Sequence, residues 1–477
     1  MNTGRSSTND MDFEMATLSR EPRLEGQGNP GEAALSSIPS SQAALGTDSG
    51  PQDGTNVQEL PPVDRGVKAW TFCIAGVVLE MMVWGFSFSY GIFQDYYTSH
   101  PPFNKACGIS IAAIGTVALS IQYGEVIFLS FFFGRYPDYL RKGMWLGLAL
   151  YFASLFFSSF ATEVWQLILL QGVGVGVGGG LLYMPVIKLL PEWFSERRGL
   201  AGGIIQAGNG VGGFVFPFVL NALLDKVGLR WTLRILAIGT TLCSVVAMFG
   251  IRSRFPVPKY NAHQRRPRFI PPQVGFLKNR LFWTFAMTNL VQGLAHFPVS
   301  LYIATFTRSI SNQLTATVVL ALFNASAVFG QIVLGHLSDR FPYPSIMLVS
   351  AFGSALVTFF LWGFANAAIF LYFFAIIFGG LSGGYTSTWP NAAVESVGGQ
   401  LEYAGMAFSG TAFFRGISAV VGPIIAGVLL QTGKGETMAG GFGRFGYGAV
   451  EIFVGSCALV TGLGSIAVAF ARQRVLA

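Results

Sequence analysis

Gly134-Arg135-Tyr136-Pro137-Asp138 and Gly335-His336-Leu337-Ser338-Asp339-Arg340 are two copies of one short pattern, Gly-x-x-x-Asp. Each copy follows a long apolar segment, and one copy lies in each half of the 477-residue chain. A pattern repeated over such a distance indicates two units of similar structure. The two stretches therefore predict a chain built from matched halves, each with the repeated loop at the same place.

The composition indicates a protein that crosses a membrane many times. Hydrophobic residues make up 52% of the chain and charged residues only 11%, whereas soluble domains contain about 25% charged residues. A helix needs about 20 mostly apolar residues to cross the hydrocarbon core of a bilayer. We predict an all-α membrane protein with twelve transmembrane helices in two six-helix halves. The candidate segments lie approximately at 70–93, 108–133, 144–160, 164–190, 199–224, 230–251, 282–307, 314–335, 345–364, 368–390, 403–430 and 447–471.

The first 65 residues differ from the rest of the chain. They are rich in Ser, Gly, Pro, Asn, Gln and acidic residues and poor in aromatic residues. Such a segment cannot bury enough apolar surface to fold, so we predict a disordered tail over 1–65. From this tail onward, Lys and Arg are concentrated in every second connecting segment. Because basic loops stay on the cytoplasmic side, this bias places both termini in the cytoplasm.

A basic segment at 252–281 separates six predicted helices from the other six. It contains eight Lys or Arg residues, five Pro and no acidic residue. Proline interrupts helices, so we predict an irregular cytoplasmic linker between an N-terminal half at 66–251 and a C-terminal half at 282–471. A short cytoplasmic tail, 472–477, follows. A nucleic-acid role for the basic segment is disfavoured, because setting the topology beside anionic lipid accounts for its charge.

The chain resembles the major facilitator superfamily. Its second repeated loop ends in Asp339-Arg340, as that family's pattern does, whereas the first has Tyr139 where the family usually has a cation. Residues 193–210, with an Arg-Arg pair followed by Leu-Ala-Gly-Gly, are similar to the monocarboxylate-porter branch. Two stretches within 64–97 are most similar to fungal members of that branch. The resemblance implies transport of a small solute by alternating access.

The two repeated loops are predicted to form a cytoplasmic gate. The aspartate of each loop can lie at a helix N-terminus or pair with an arginine across the cytoplasmic face. Such a cluster would close the cytoplasmic side and break when that side opens. The predicted gate residues are Gly134, Asp138, Arg141, Gly335, Asp339, Arg340, Arg197 and Arg198.

Three ionisable residues within predicted helices are candidates for proton coupling, because such groups are costly inside a membrane. Glu80 lies in the first helix, Glu125 in the second, and His296 in the seventh. Each could load and release a proton during the transport cycle. The alternative for each is structural: a polar neighbour satisfies the group, which then only fixes the packing of helices.

Arg415 is the cation that lies well inside a predicted helix, the eleventh, and it is the leading candidate for substrate binding. A guanidinium can bind a carboxylate or an enolate through two hydrogen bonds. The alternatives are a structural pair with an acidic residue or backbone carbonyls, or a side chain that reaches the membrane interface. The polar residues expected beside it around the substrate are Gln206, Asn209, Asn289, Gln292 and Asn324.

The leading functional hypothesis is a secondary active transporter of a small organic solute, with a preference for proton-driven efflux of a metabolite such as a fungal secondary product. The alternative is a proton-coupled monocarboxylate uptake porter. Against it, the first helix has no lysine after Ala69, and Gln331 stands where fungal relatives tend to have an arginine. A hypothesis of another class is a nutrient sensor that does not transport.

The expected partners are a small-molecule substrate, the lipid bilayer and protons as the coupling ion, with no nucleic acid. The sequence contains no recognisable nucleophile–base pair, metal-ligand cluster or phosphate-binding loop, so we expect no enzymatic activity, cofactor or metal. We expect a monomer in the plasma membrane, with the vacuolar membrane as the alternative location.

Overall fold

A computed structural model of the chain describes residues 61–256, 266, 268–269, 274–433 and 441–476. The regular structure in these ranges is helical. The predicted tail lies outside them up to residue 60, as does most of the predicted linker between 257 and 273. The α-helices are α1 Val67–Phe88, α2 Tyr90–Ser99, α3 Gly108–Arg135, α4 Leu140–Ser158, α5 Val164–Leu167, α6 Val175–Trp193, α7 Arg198–Gly250, α8 Arg280–Ile310, α9 Gln313–Arg340, α10 Tyr343–Val357, α11 Ala368–Gly384, α12 Trp389–Ser396, α13 Leu401–Thr432 and α14 Gly448–Leu476.

Several of these helices form longer rods. A π-helical stretch, Ile168–Gly174, joins α5 to α6, and a second one, Thr358–Trp362, extends α10. A 3-10 turn, Tyr385–Thr388, joins α11 to α12. Further 3-10 turns lie at Phe103–Lys105, Pro137–Tyr139, Val274–Lys278 and Arg444–Gly446. Most predicted transmembrane segments therefore coincide with one helix or one such rod. The segment 70–93 instead covers α1 and the start of α2, and 199–224 and 230–251 both lie in α7.

Nine helices in the described ranges are long and apolar enough to cross a membrane. One of them is α7, which has 53 residues and contains a single non-helical position, Gly228, with φ of 72°. Glycine adopts this conformation without strain, so it breaks α7 between two of the predicted segments. The long helices α4 and α8 are not among these nine apolar helices. Arg141 and Lys142 open α4, and α8 carries several polar side chains, so both are less apolar.

The helices before the basic segment, α1 to α7, are called here the first group or N-terminal half, and α8 to α14 the second group or C-terminal half. In the first group, α1 packs on α7, and α6 packs on α3 and α4. In the second group, α9 packs on α11, and α14 packs on α8 and α10. The most extensive contacts between the groups are those of α7 with α9 and of α3 with α13. Any group held between α7, α9, α3 and α13 therefore lies between the two halves.

Glycines bring α7 and α9 unusually close. A Cβ atom on Gly335 would lie 2.5 Å from the carbonyl oxygen of Gly199, and one on Gly203 would overlap the carbonyl oxygen of Gln331. Small residues at helix contacts allow backbones to meet in this way inside membranes. This contact fixes the position of one half against the other at the loop that contains Gly335.

The helix α14 continues beyond the predicted segment and reaches Leu476, so most of the predicted tail at 472–477 is helical. Arg472 lies in this extension and donates two hydrogen bonds to the Glu395 carboxylate, at 2.7 and 2.8 Å. This bidentate contact between α14 and α12 stabilises the additional turns at the end of α14.

Candidate substrate site and gate

A buried polar network surrounds Arg415 between α8, α11 and α13. Only 2% of Arg415 is exposed, and its Nη1 donates to the side-chain oxygen of Gln292. The amide nitrogen of Gln292 donates to Ser382 Oγ at 3.0 Å, and His296 Nδ1 lies 3.0 Å from the same hydroxyl. Two predicted substrate residues, Arg415 and Gln292, and one predicted proton-coupling residue, His296, are thus in one network.

Two aromatic rings lie near the Arg415 guanidinium. Its central carbon lies 4.9 Å from the ring centre of Phe297 and 5.9 Å from that of Trp389. Contacts of this kind stabilise a cation electrostatically. In the part of the chain that the structure describes, Arg415 makes no ion pair with a carboxylate. Of the alternatives weighed for Arg415, an ion pair with Glu80 or Glu125 is therefore not what the structure shows.

The aromatic cluster continues from the C-terminal half into the N-terminal half. Tyr123 of α3 has its ring centre 6.4 Å from that of Phe297. Trp84 of α1 packs on Tyr123 at 4.5 Å and on Tyr183 of α6 at 5.2 Å. Arg415 therefore lies at the end of a row of rings that crosses the interface between the halves.

A second polar cluster connects α7 with α9 and the turn after α11. Gln206 donates to the carbonyl oxygen of Thr386 at 3.2 Å. Gln331 donates to Asn209 at 3.4 Å and to the Thr386 hydroxyl at 3.5 Å. Ser382 of the first network is four residues before Thr386, about one helical turn away. The two clusters are therefore neighbours along one rod.

The other two predicted substrate residues hold helices together. Asn289 donates to the carbonyl oxygen of Thr411 at 3.0 Å, between α8 and α13. Asn324 donates to the carbonyl oxygen of Gly213 at 3.3 Å, between α9 and α7. These contacts give both residues a structural role in this conformation, and neither is bonded into the Arg415 network.

Glu80 and Glu125 occupy different surroundings. Glu80 is buried, one of its carboxylate oxygens has no hydrogen-bond partner among the described residues, and it lines a small void together with Tyr183 and Gln206. The void has room for about one water molecule. Glu125 instead lies directly against Gly180, between α3 and α6. Only Glu80 therefore shares its surroundings with a residue of the polar clusters.

The end of the bundle that carries both repeated loops is here called the gate end. There the Asp339 carboxylate accepts hydrogen bonds from the backbone N–H groups of Gly199 and Leu200, at 2.6 and 2.7 Å. These groups belong to the first turn of α7, whose positive dipole end favours a carboxylate. Asp339 of the C-terminal half thus caps a helix of the N-terminal half.

Asp64 caps the residues just before α7 in the same way. Its carboxylate accepts from the backbone N–H groups of Ser195, Glu196 and Arg197 at 2.9 to 3.1 Å. This role was not anticipated from the sequence, where Asp64 is only part of a family resemblance. Hydrogen bonding over more than 130 positions leaves no periodic signal in a single sequence.

The first repeated loop has a different partner. Asp138 accepts two hydrogen bonds from Arg266 of the predicted linker, at 2.7 and 3.0 Å. The Arg266 guanidinium holds the pKa of the Asp138 carboxyl below its usual value. Arg266 also lies over the Tyr136 ring, at 4.8 Å. Arg141, another predicted gate residue, instead donates to the carbonyl oxygen of Ile251 at 3.4 Å.

The remaining predicted gate residues have individual roles. Arg198 is buried, and its Nε donates to the carbonyl oxygen of Phe194. Arg197 contributes its backbone N–H to Asp64. Arg340 is exposed and lines, with Arg198 and Asp339, a crevice of about 450 Å³ at the gate end. In this state the halves meet closely at the gate end, where Gly405 packs on Lys188 and Gly202 on Pro390.

The chain is similar to fungal transporters over most of its length. It is 30% identical to an MFS-type transporter of Gibberella zeae over 410 residues, which cover 84% of this chain and 86% of that protein. It is 29% identical to the aspyridones efflux protein apdF of Emericella nidulans over 381 residues, covering 78% of this chain and 74% of the relative.

The fold is similar to that of the E. coli fucose:proton symporter FucP. The superposition has a TM-score of 0.59 at 12% sequence identity, and it covers 83% of this chain and 99% of the symporter. The family model of the Major Facilitator Superfamily matches residues 72–423. The resemblance seen in the repeated loops is thereby confirmed: the chain belongs to the Major Facilitator Superfamily and is a multi-pass membrane transporter.

Proposed function

We propose that the protein is a proton-driven exporter of a small organic metabolite. Two observations support this reading. A relative that is 29% identical is named as an efflux protein for aspyridones. The buried Arg415 network adjoins a row of aromatic rings that crosses between the halves, which is where transporters of this architecture hold their substrates.

The proposed topology has twelve transmembrane spans with both termini in the cytoplasm. The break of α7 at Gly228, together with α4 and α8, raises the nine apolar helices to twelve spans. The positive charge of the connecting segments places the gate end on the cytoplasmic side. The structure then corresponds to a state that is closed toward the cytoplasm, and rocking of the halves would open the gate end. The proposed location is the plasma membrane, and the proposed state is monomeric.

Glu80 is the proposed carrier of the coupling proton. Burial without full hydrogen bonding penalises the charged form of a carboxylate, and one oxygen of Glu80 has no partner among the described residues, so binding a proton relieves the cost. Glu80 lines the void beside Gln206, and Gln206 bonds the rod that carries Ser382 and Thr386. Protonation of Glu80 can therefore act on the same interface that holds the substrate. Glu125 and His296 are secondary candidates.

The single observation that carries the proposal is Arg415, a buried cation beside the interface between the halves. We expect Arg415→Ala to abolish transport while protein level and location stay normal. Transport can be measured in inside-out plasma-membrane vesicles from yeast that express the protein. The proton pump of such vesicles acidifies the lumen when ATP is added, and an exporter then moves its cargo inward in exchange for protons.

The assay uses a panel of fluorescent coumarins, both neutral and acidic. The expected result is ATP-dependent accumulation of at least one coumarin that a protonophore and Glu80→Gln each abolish. Accumulation that survives the protonophore would contradict proton coupling. In right-side-out vesicles, movement of protons with added lactate would instead support a monocarboxylate uptake porter, and signalling without transport would support a sensor.

A further inference from the structure

We propose that the central site binds its cargo as a delocalised oxygen anion, a carboxylate or an enolate, attached to a planar apolar body. The anion would accept hydrogen bonds from three donors: the guanidinium of Arg415, the hydroxyl of Tyr385 and the indole N–H of Trp389. This inference rests on the proposed function, because it names the chemical class of the exported solute.

The charge of Arg415 has no counter-charge within the described part of the protein. Its neighbours in the described ranges are neutral: the amide of Gln292, the hydroxyl of Tyr123, and the rings of Phe297 and Trp389. A buried charge without an opposite charge is costly, so its presence is explained if a ligand supplies one during the cycle. The Nε of Arg415 has no hydrogen-bond partner among the described residues, so it can bind a ligand.

Two further donors near Arg415 also have no partner. The hydroxyl of Tyr385 and the indole nitrogen of Trp389 are each at most 1% exposed and bond to no acceptor in the described ranges. The Trp389 ring lies 5.9 Å from the guanidinium carbon, and Tyr385 begins the 3-10 turn that leads directly into Trp389. Buried donors without acceptors are unfavourable. One anion with two or more oxygens would satisfy this set, whereas a cation would be repelled.

The residues around these donors indicate the chemistry of the remaining part of the ligand. The ring of Phe408 packs on that of Trp389 at 5.4 Å, and the row formed by Phe297, Tyr123 and Trp84 begins on the other side of Arg415. Aromatic faces pack favourably on flat conjugated groups. A short aliphatic acid would leave this surface uncovered, so the site fits a conjugated acid better than lactate.

The test measures binding to the purified full-length protein by isothermal titration calorimetry. The probes form two matched pairs, each an acid and a neutral analogue of the same shape: 2-naphthoate with 2-naphthamide, and 4-hydroxycoumarin with 4-methoxycoumarin. The first acid presents a carboxylate and the second an enolate, so the pairs distinguish the two sources of the anion. We expect at least one acid to bind, and to bind more tightly than its neutral analogue.

Substitutions of Arg415 and Tyr385 test whether these side chains bind the anion. Arg415→Gln should weaken acid binding on the order of 10- to 100-fold, the range for a hydrogen bond to a charged group, and leave the neutral analogue unchanged. Tyr385→Phe removes only the hydroxyl oxygen and should weaken acid binding by roughly 3- to 10-fold, which keeps the test decisive if Arg415→Gln fails to fold. The control is Arg308→Gln, the same substitution at an exposed position.

Three outcomes would overturn the inference. The first is that neither acid binds, and the second is that acid and neutral analogue bind equally tightly. The third is that Arg415→Gln and Tyr385→Phe each weaken binding of the acid and of its neutral analogue by the same factor. The proposed function can fail separately. If the acids bind as expected but vesicles show no proton-dependent accumulation, the anion site stands and proton-driven export does not. If accumulation is proton-dependent only for neutral coumarins, export stands and the anion site does not.

Discussion

The two copies of the repeated loop have the same sequence pattern but different contacts. Asp339 is partly buried and caps the first turn of α7, which belongs to the other half. Asp138 has a side chain that is 30% exposed and pairs with Arg266 of the linker. The aspartate of the first copy therefore binds the segment that joins the halves, whereas the aspartate of the second copy joins the halves to each other directly.

This difference shows how one motif can have two energetic roles. Hydrogen bonds from backbone N–H groups to a carboxylate are charge-assisted, and each stabilises by about 1.5–3 kcal/mol. Ion pairs between exposed side chains are weak and are screened by salt. The second copy should therefore control closure of the gate end, whereas the first copy should only modulate it.

The largest expected difference between the copies concerns their glycines. A Cβ on Gly335 would lie 2.5 Å from the backbone oxygen of Gly199, but a Cβ on Gly134 would meet only the flexible end of Met406, at 2.8 Å. Backbone atoms cannot move aside as a methionine side chain can. We expect Gly335→Ala to reduce coumarin transport at least about 10-fold, and Gly134→Ala to retain most of it. Equal losses of transport in the two variants, at equal protein levels, would contradict the proposed difference between the two copies.

The next effect is that of the aspartates. Asp339→Asn removes the charge from the cap of α7, which should favour opening of the gate end by roughly 10-fold. The measurement is labelling of a Ser338→Cys variant by a membrane-impermeant maleimide in inside-out vesicles, because Ser338 is buried in the closed state. Asp138→Asn serves as the matched control and should change labelling much less. Labelling that rises more in Asp138→Asn would contradict the assignment.

A smaller effect is expected from the linker contact. Arg266→Gln removes the bidentate pair with Asp138 and should change the transport rate by roughly twofold at low salt. The difference from the wild type should decrease as ionic strength rises, because exposed charges are screened. Arg141→Gln is the control, since Arg141 contacts a backbone carbonyl rather than Asp138. A salt-independent loss, or an equal loss in the control, would contradict the ion pair.

The smallest effect concerns pH. Arg266 lowers the pKa of Asp138 in the folded protein, so the pair contributes stability above the usual aspartate pKa and loses it only when pH falls through the lowered value. The difference in thermal unfolding midpoint between wild type and Arg266→Gln should therefore be constant from about pH 8 to pH 5. It should decrease only in stronger acid. A difference that disappears between pH 7 and 5 would indicate another titrating group.

Most of the architecture could be predicted from the sequence because it depends on local composition. Apolar runs of sufficient length coincide with helices. The first copy of the repeated pattern begins in the last turn of α3, and the second copy forms the last turns of α9 rather than a loop. The break in α7 was also predictable in position, since a short polar stretch separates the two segments there. The extension of α14 to Leu476 was not, because it involves a contact between Arg472 and Glu395, distant in the chain.

The candidate site was predictable only in part. Arg415 and Glu80 stand out because charges are rare inside apolar helices. Ser382, Thr386 and Tyr385 do not stand out, because hydroxyl residues are common in helices and bond back to their own backbone, as Thr386 does to Gly383. Their importance arises from the residues that face them on α7, α8 and α13.

Local sequence was sufficient to identify a helical membrane protein, since the length and spacing of apolar runs are local properties. The tertiary structure alone decided which copy of the loop caps α7, which cation pairs with Asp138, and which side chains surround Arg415. Those contacts depend on how closely helices approach one another. At the gate end that approach is set by glycine backbones meeting across the halves, a property of the pair of helices and of neither helix alone.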